Sequence, residues 1–289
     1  MWQFSNLMQH IHITKTEILK RYQPIDKAAH KGTQGHALII GGSSGKMGSM
    51  CLAAKAALKT GCGLATVLVP SSGNDIVQIA VPEAMVIASP GEKHLSEIKF
   101  QILPQAIGIG PGLGTEAPTQ RAFRQFLKTV DVPLIVDADG LNILSKNKSW
   151  VKLLRSRTIL TPHVRELERM IGPWKDEDSK LQKTKELSLK FDLIIVVKGA
   201  PTFVIYKEQV FENTTGNPAL ATAGSGDVLT GMITSLLAQK YEPLDAALTA
   251  VFLHGLTADI AYPETGYQSF IASDIIAHIG KAWLAVTSL

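Results

Sequence analysis

The stretch HALIIGGSSGKMGSMCLAAKAALKTGCGLATVLV (36–69) decides the fold class. Ala37–Ile40 and Leu64–Val69 are short, unbroken aliphatic runs. Strands buried on both faces of a parallel sheet read this way, whereas half-solvated strands alternate. Between them lie a Gly-rich turn and a helical stretch, Ser49–Thr60. The same alternation continues along the chain. Further strand runs are expected at Met85–Ile87, Ala106–Ile109, Leu134–Val136, Ile159–Leu160, Leu193–Val197, Phe203–Ile205 and Gln209–Glu212. Helices are expected at Thr119–Lys128, Arg165–Ile171 and Ser179–Phe191, then Asp227–Gln239, Leu244–Asp259 and Ser273–Val286. Residues 1–35 read as a polar, irregular N-terminal extension with a short helix near Thr16–Arg21, and 36–289 as one domain. Strand–helix alternation predicts an α/β fold with a central, mostly parallel sheet flanked by helices on both faces. In such folds ligands bind beyond the carboxyl ends of the strands.

Composition narrows the function. The chain has 289 residues, 45% hydrophobic and 19% charged, which is globular and not disordered composition. A net charge of +4 over that length gives no clustered basic stripe, so nucleic acid is not an expected partner. Two cysteines, Cys51 and Cys62, are too few for a disulfide framework or a zinc site. No unbroken apolar run is long enough to span a bilayer, and the first residues lack a signal peptide's apolar core. The expectation is a cytoplasmic protein with no membrane partner. No repeat of solenoid or propeller period is present.

Six segments follow predicted strands. Gly41–Gly48 (GGSSGKMG) lacks the spacing of a Walker A loop and of G-x-G-x-x-G. It is either a tight turn or a backbone cradle for an anion. Gly110–Gly114 (GPGLG) is a turn or a place of close ligand approach. In Asp137–Asn142 (DADGLN), Asp139 reads as a helix cap, leaving Asp137 and Asn142 free to bind hydroxyls or a hydrated metal. In Thr161–Glu166 (TPHVRE) a helix start accounts for Thr161 and Pro162 but not for His163 or Glu166. Lys198–Thr202 (KGAPT) offers a phosphate-binding cation or a solvated lysine in a turn. The sixth, NTTGNPALATAGSGDVLTG (213–231), is a nearly uncharged loop entering an apolar helix through Gly224-Ser225-Gly226-Asp227. Small residues there leave N–H groups open at the positive end of a helix dipole, a seat for a phosphoryl group. Asp227 beside that seat is placed to take a proton from a hydroxyl.

These segments, in this order, resemble the ribokinase-like superfamily and, more narrowly, the ADP/ATP-dependent NAD(P)H-hydrate dehydratases. The resemblance spans about residues 31–260 and rests on KGTQGHALIIGGSSGKMGS, IGPGLG, VDADGLN, TPHVRE, VKGAPT and NTTGNPALATAGSGDVLTG. It implies a ribokinase-like fold and a hydro-lyase that repairs the hydrated (S epimer) form of NADH or NADPH. The ring hydroxyl would be phosphorylated from ADP or ATP with Mg²⁺, and phosphate would then leave. It also implies that Ser49, Gly112, His163 and Asp227 contact the hydrated cofactor; Asp137 and Asn142 are expected to bind it as well. Lys198, Gly199, Ala200, Pro201, Thr202 and Gly226 would hold the adenine nucleotide. Asp227 would be the base, the amides of Gly224, Ser225 and Gly226 the anion hole, and Glu166 the acidic group that serves Mg²⁺ indirectly. Relatives suggest a homotetramer. Ser49 stands where the family commonly has Ala, and Arg165 where it usually has Gly. The short stretch before the first strand predicts that the epimerase domain of many bacterial relatives is absent. The competing readings are a small-molecule kinase of the same superfamily, acting on a vitamin precursor or sugar, and a non-catalytic nucleotide-binding module.

Overall fold

A computed structural model describes residues 10–288; residues 1–9 of the expected extension lie outside the described residues. The chain runs through β1 (Ile11–Ile13), α1 (Lys15–Arg21), β2 (His36–Ile40), α2 (Met47–Thr60), β3 (Leu64–Pro70), α3 (Asn74–Ala80), β4 (Met85–Ser89) and β5 (Ala106–Ile109). It continues with α4 (Ala117–Leu127), β6 (Leu134–Val136), α5 (Ala138–Lys146), β7 (Ile159–Leu160), α6 (Val164–Ile171), α7 (Glu177–Phe191) and β8 (Ile194–Val197). It ends with β9 (Phe203–Tyr206), β10 (Gln209–Asn213), α8 (Ser225–Ala238), α9 (Pro243–Thr265) and α10 (Ala272–Thr287). The expected strands and helices are all present, most with ends moved by one to a few residues. α3 and α5 are additional, and so is β1, inside the stretch expected to be irregular.

The ten strands form one sheet in the order β1-β10-β9-β8-β7-β6-β5-β2-β3-β4. Every pairing from β8 through β4 is parallel, while β9 lies antiparallel to both β8 and β10. β1 joins the edge of the sheet parallel to β10, with Ile11 opposite Phe211, so residues from the N-terminal stretch extend the domain's own sheet.

Successive strand residues point to opposite faces. Ala37 and Ile39 of β2 enter the core under α2, α8, α9 and α10, and Leu38 and Ile40 enter the core under α4 to α7. This double burial is why the strands carry no polar alternation. α8 crosses the centre of one face and is buried along nearly its whole length. Gly231 allows this, because a Cβ there would come within 2.1 Å of the Ala53 carbonyl oxygen in α2. α9 is long and apolar enough to cross a membrane by length and composition, with a mean hydropathy of 1.3 over its best 18 residues. However, 67% of that window is buried inside the protein, which is the packing of a core helix. Both cysteines are free.

Five of the parallel strands, β2, β5, β6, β7 and β8, end on one side of the molecule. The loops that follow them, together with the start of α8, therefore meet at a single rim.

Candidate active site

The rim is knitted by backbone. Gly42 N–H donates to the Pro111 carbonyl at 2.8 Å, and the Ser43 hydroxyl donates to the Gly112 carbonyl at 2.7 Å. The two Gly-rich loops thus form one surface. Ser49, in the first turn of α2, faces Gly112: a Cβ on Gly112 would lie 3.4 Å from that of Ser49.

α8 opens this surface to a charged ligand. Its cap, Gly224, has φ +85°, and a Cβ there would meet Leu52 Cδ1 at 2.5 Å. Only glycine suits that position on both counts. No side chain caps the helix. The first strong intrahelical bond runs from Val228 N–H to the Gly224 carbonyl at 3.0 Å, and Ser225 N–H reaches Thr222 only at 3.4 Å. Among the described residues the N–H groups of Gly224, Gly226 and Asp227 have no acceptor. Of the expected set Gly224, Ser225 and Gly226, the Gly224 and Gly226 N–H groups are free and the Ser225 N–H is partly engaged, and the Asp227 N–H is free as well. Free N–H groups at a helix start favour an anion.

The side chain of Asp227 is half-buried at this entrance, with the Ser49 hydroxyl favouring its ionised form. Burial raises its carboxyl to about 6; the Ser49 hydroxyl and Lys198 pull it down, while Asp137 and Asp139 push it up. A carboxylate poised near neutrality is suited to accept a proton.

Lys198 lies at the end of β8, and its Nζ is 2.7 Å from Asp137 Oδ1. Burial opposes its charge, but Asp137 and Glu166 outweigh that and hold the ammonium above its ordinary value. A Cβ on Gly226 would sit 3.3 Å from this Nζ, which places the cation against the anion seat. Asp137, expected to touch substrate, is 1% exposed and uses its other oxygen to accept the Thr230 hydroxyl at 2.7 Å.

Asp139 does not cap α5. Its Oδ2 accepts the Gly114 N–H at 2.9 Å and the Lys46 ammonium at 3.2 Å, and its Oδ1 accepts the Asn142 amide at 3.1 Å. Asn142 in turn accepts from Arg169 at 2.8 Å. It is thus tied to α6 rather than to Asp227.

A structural role also accounts for the two residues that the helix-start reading left over in TPHVRE. His163 is the cap of α6: its Nδ1 accepts the N–H groups of Arg165 and Glu166 at 3.1 and 3.3 Å, while Glu166 Oε2 accepts the His163 N–H at 2.9 Å. This is a capping box with histidine in place of Ser or Thr. The His163 ring is half exposed at the rim, and its pKa is lowered by burial and by the charges of Lys198 and Arg169. The Glu166 carboxyl is buried, and burial raises its pKa.

Lys198, Gly199, Ala200, Pro201, Thr202, Ser225 and Gly226 line one cavity of about 770 Å³. Its far wall is made by residues that sequence reasoning did not single out as ligands: Asn217 and Leu220 from the loop, Leu229 from α8, and Val251 and His254 from α9. An apolar wall beside a polar, cationic end suits a nucleotide. Among the described residues no three His, Cys, Asp or Glu side chains gather into a metal-binding group.

The sequence profile of the NAD(P)H-hydrate dehydratases matches residues 37–281, which include every segment that builds this rim. The chain belongs to the NAD(P)H-hydrate dehydratase family. It is 35% identical to the ADP-dependent (S)-NAD(P)H-hydrate dehydratase of Staphylococcus aureus, over 80% of this chain and 83% of that protein. It spans about half the length, 49% and 51%, of two bifunctional NAD(P)H-hydrate repair enzymes that it also matches, from Moorella thermoacetica and Vibrio cholerae. The crystal structure of the Bacillus subtilis ADP/ATP-dependent NAD(P)H-hydrate dehydratase, co-crystallised with ATP and Mg²⁺, superposes with a TM-score of 0.85 at 30% identity, covering 96% of this chain and 99% of that one. The fold of this dehydratase family member is accordingly ribokinase-like, as the sequence resemblance implied.

Proposed function

We propose that this chain dehydrates the S epimer of hydrated NADH or NADPH at the expense of ADP or ATP, a metabolite-repair reaction. One observation carries the reading. Asp227, with its carboxyl raised to about 6, directly follows Gly226, whose unpaired N–H is at the helix start and which lines a nucleotide-sized cavity. The S. aureus and B. subtilis relatives, whose names state this activity, support it.

In this reading Asp227 accepts the proton of the ring hydroxyl as its oxygen attacks the terminal phosphorus of the nucleotide. The bond from that phosphorus to the nucleotide breaks, and the freed N–H groups at the start of α8 take up the charge on the transferred group. Phosphate is then the leaving group. It departs with the C–O electron pair as the ring nitrogen pushes its lone pair into a C=N bond; the neighbouring ring carbon then loses a proton to solvent, its C–H pair forms the ring C=C bond and the nitrogen regains its pair. Lys198 balances phosphate charge from below. Mg²⁺ bound to the nucleotide would neutralise its phosphates. Among the described residues no three carboxylates form a cage, so the metal would be held mainly by those phosphates and water, and the buried carboxyl of Glu166 is the protein group that fits such a role. Ser49, Gly112 and His163 are the rim residues for the dinucleotide, and a cytoplasmic homotetramer completes the proposal.

The test is to incubate the protein with hydrated NADH, Mg²⁺ and either ADP or ATP, and to follow the return of reduced-nicotinamide absorbance. Recovery with either nucleotide is expected. No recovery with both would overturn the assignment, and a stable phosphorylated product would point to a kinase.

A further inference from the structure

α9 touches the phosphoryl seat through one side chain. His254 is 9% exposed, and its ring lines the nucleotide cavity. Its Nε2 lies 3.0 Å from the Ser225 carbonyl oxygen and 3.2 Å from the Ser225 hydroxyl. A carbonyl oxygen only accepts, so Nε2 carries the proton and donates it. Burial pushes the ring's pKa down to about 4, so this donor is a neutral imidazole at working pH.

The Ser225 carbonyl belongs to the same peptide unit as the Gly226 N–H. In a trans, planar peptide the two point in opposite directions. Fixing the carbonyl therefore fixes where the Gly226 N–H points, and this N–H is one of those at the helix start that have no acceptor among the described residues. The first peptide of a helix is otherwise held at its N-terminal side by little, and here Ser225 N–H makes only a 3.4 Å bond. α9 is itself anchored to the cavity's other wall: Asp259 accepts the Gly216 N–H at 2.8 Å and the Asn217 amide at 3.0 Å. The Thr215 hydroxyl donates to the Phe252 carbonyl at 2.7 Å.

We propose that His254 is a positioning residue, which holds the Ser225–Gly226 peptide so that the Gly226 N–H meets the phosphoryl group being transferred. The identity of the phosphoryl acceptor rests on the function proposed above; the alignment of the seat does not.

The experiment compares H254M, which fills the space without a donor, with H254Q, whose amide reaches about as far as Nε2. MgADP and adenosine binding are measured by calorimetry, and turnover of hydrated NADH is measured in parallel. H254M should bind MgADP about tenfold more weakly, bind adenosine as wild type does, and lose about tenfold in kcat with KM for the hydrate unchanged. Losing an oxyanion donor outright costs roughly 10²–10³, so its misalignment should cost less. H254Q should restore both. MgADP binding by H254M equal to wild type, or an equal defect in H254Q, would overturn the proposal. Should H254M fail to fold, H254N, whose amide is too short to reach the carbonyl, takes its place with the same expectations. Wild-type protein that binds MgADP yet regenerates no reduced nicotinamide would fail the proposed reaction, and the binding comparison would still decide the role of His254.

Discussion

The Lys198 ammonium and the Asp137 carboxylate are 2.7 Å apart beneath the entrance to α8, and Asp137 is almost wholly shielded from solvent. Breaking such a pair from one side leaves a buried charge without its partner, which costs about 3–5 kcal/mol. K198M should therefore lower stability by about that amount and abolish tight MgADP binding. In the double variant D137N/K198M neither charge is left alone, so most of the stability should return while MgADP binding stays lost. Urea unfolding and calorimetry on the two variants check both halves. A double variant no more stable than K198M would mean that the pair is not coupled.

The raised carboxyl of Asp227 makes two opposed predictions for one substitution. In the proposed reaction Asp227 is the base, so D227N should lose roughly 10²–10⁴ in kcat while still binding MgADP. For stability the sign is reversed. The folded protein holds a proton on Asp227 up to about pH 6, whereas an ordinary aspartate gives it up near 3.8. Between those values the folded state binds more protons than the unfolded one, so this group's stabilising contribution is lost as pH rises through the window. At neutral pH the ionised, half-buried carboxylate is a net cost of at most about 3 kcal/mol. D227N should thus be inactive and melt higher than wild type at pH 7. Retained turnover would remove Asp227 from its role.

Ser49 tunes that base. Its hydroxyl favours the ionised form of the Asp227 carboxylate. Because the base must be ionised, kcat/KM should rise with pH through an apparent pKa near 6 and then level. S49A removes the hydroxyl, so the acid limb should move to higher pH with little change on the plateau. A pH profile of both proteins measures this. An unshifted or downward-shifted limb would mean that the hydroxyl does not act on Asp227 in the free enzyme.

The sheet was legible because its strands are buried on both faces, which leaves runs such as Ala37–Ile40 and Ala106–Ile109 with no polar interruption. The short edge strand Ile11–Ile13 was not legible, because it is three residues long and pairs with β10, two hundred residues further along the chain. α5 was hidden by its own start: Ala138 takes a positive φ of 47°, and DADGLN has the composition of a turn. At the site, glycines and charges at strand ends marked segments that the fold brings together at one rim, but not the partner of each group. Asp139 carries cap-like sequence, yet its carboxylate is drawn to Gly114 and Lys46 across the rim. His254 sits one residue type among many in an apolar helix, and its meaning comes only from Ser225, which lies on a different helix.

Glu166 offers the sharpest separation of a structural from a chemical role. As the third residue of α6 it completes the capping box with His163, and glutamine serves that purpose as well as glutamate. Its charge, in contrast, would serve a metal-bound nucleotide in the proposed reaction. E166Q should keep the melting temperature of the wild type and yet need several-fold more Mg²⁺ to reach half its maximal rate. E166A should lose the cap as well, at a cost of about 1 kcal/mol. Titrating Mg²⁺ at saturating nucleotide, alongside thermal melts, reads the two effects separately. If E166Q showed the Mg²⁺ dependence of the wild type, the carboxylate would be no more than half of a helix cap, and the metal would owe its place to the nucleotide alone.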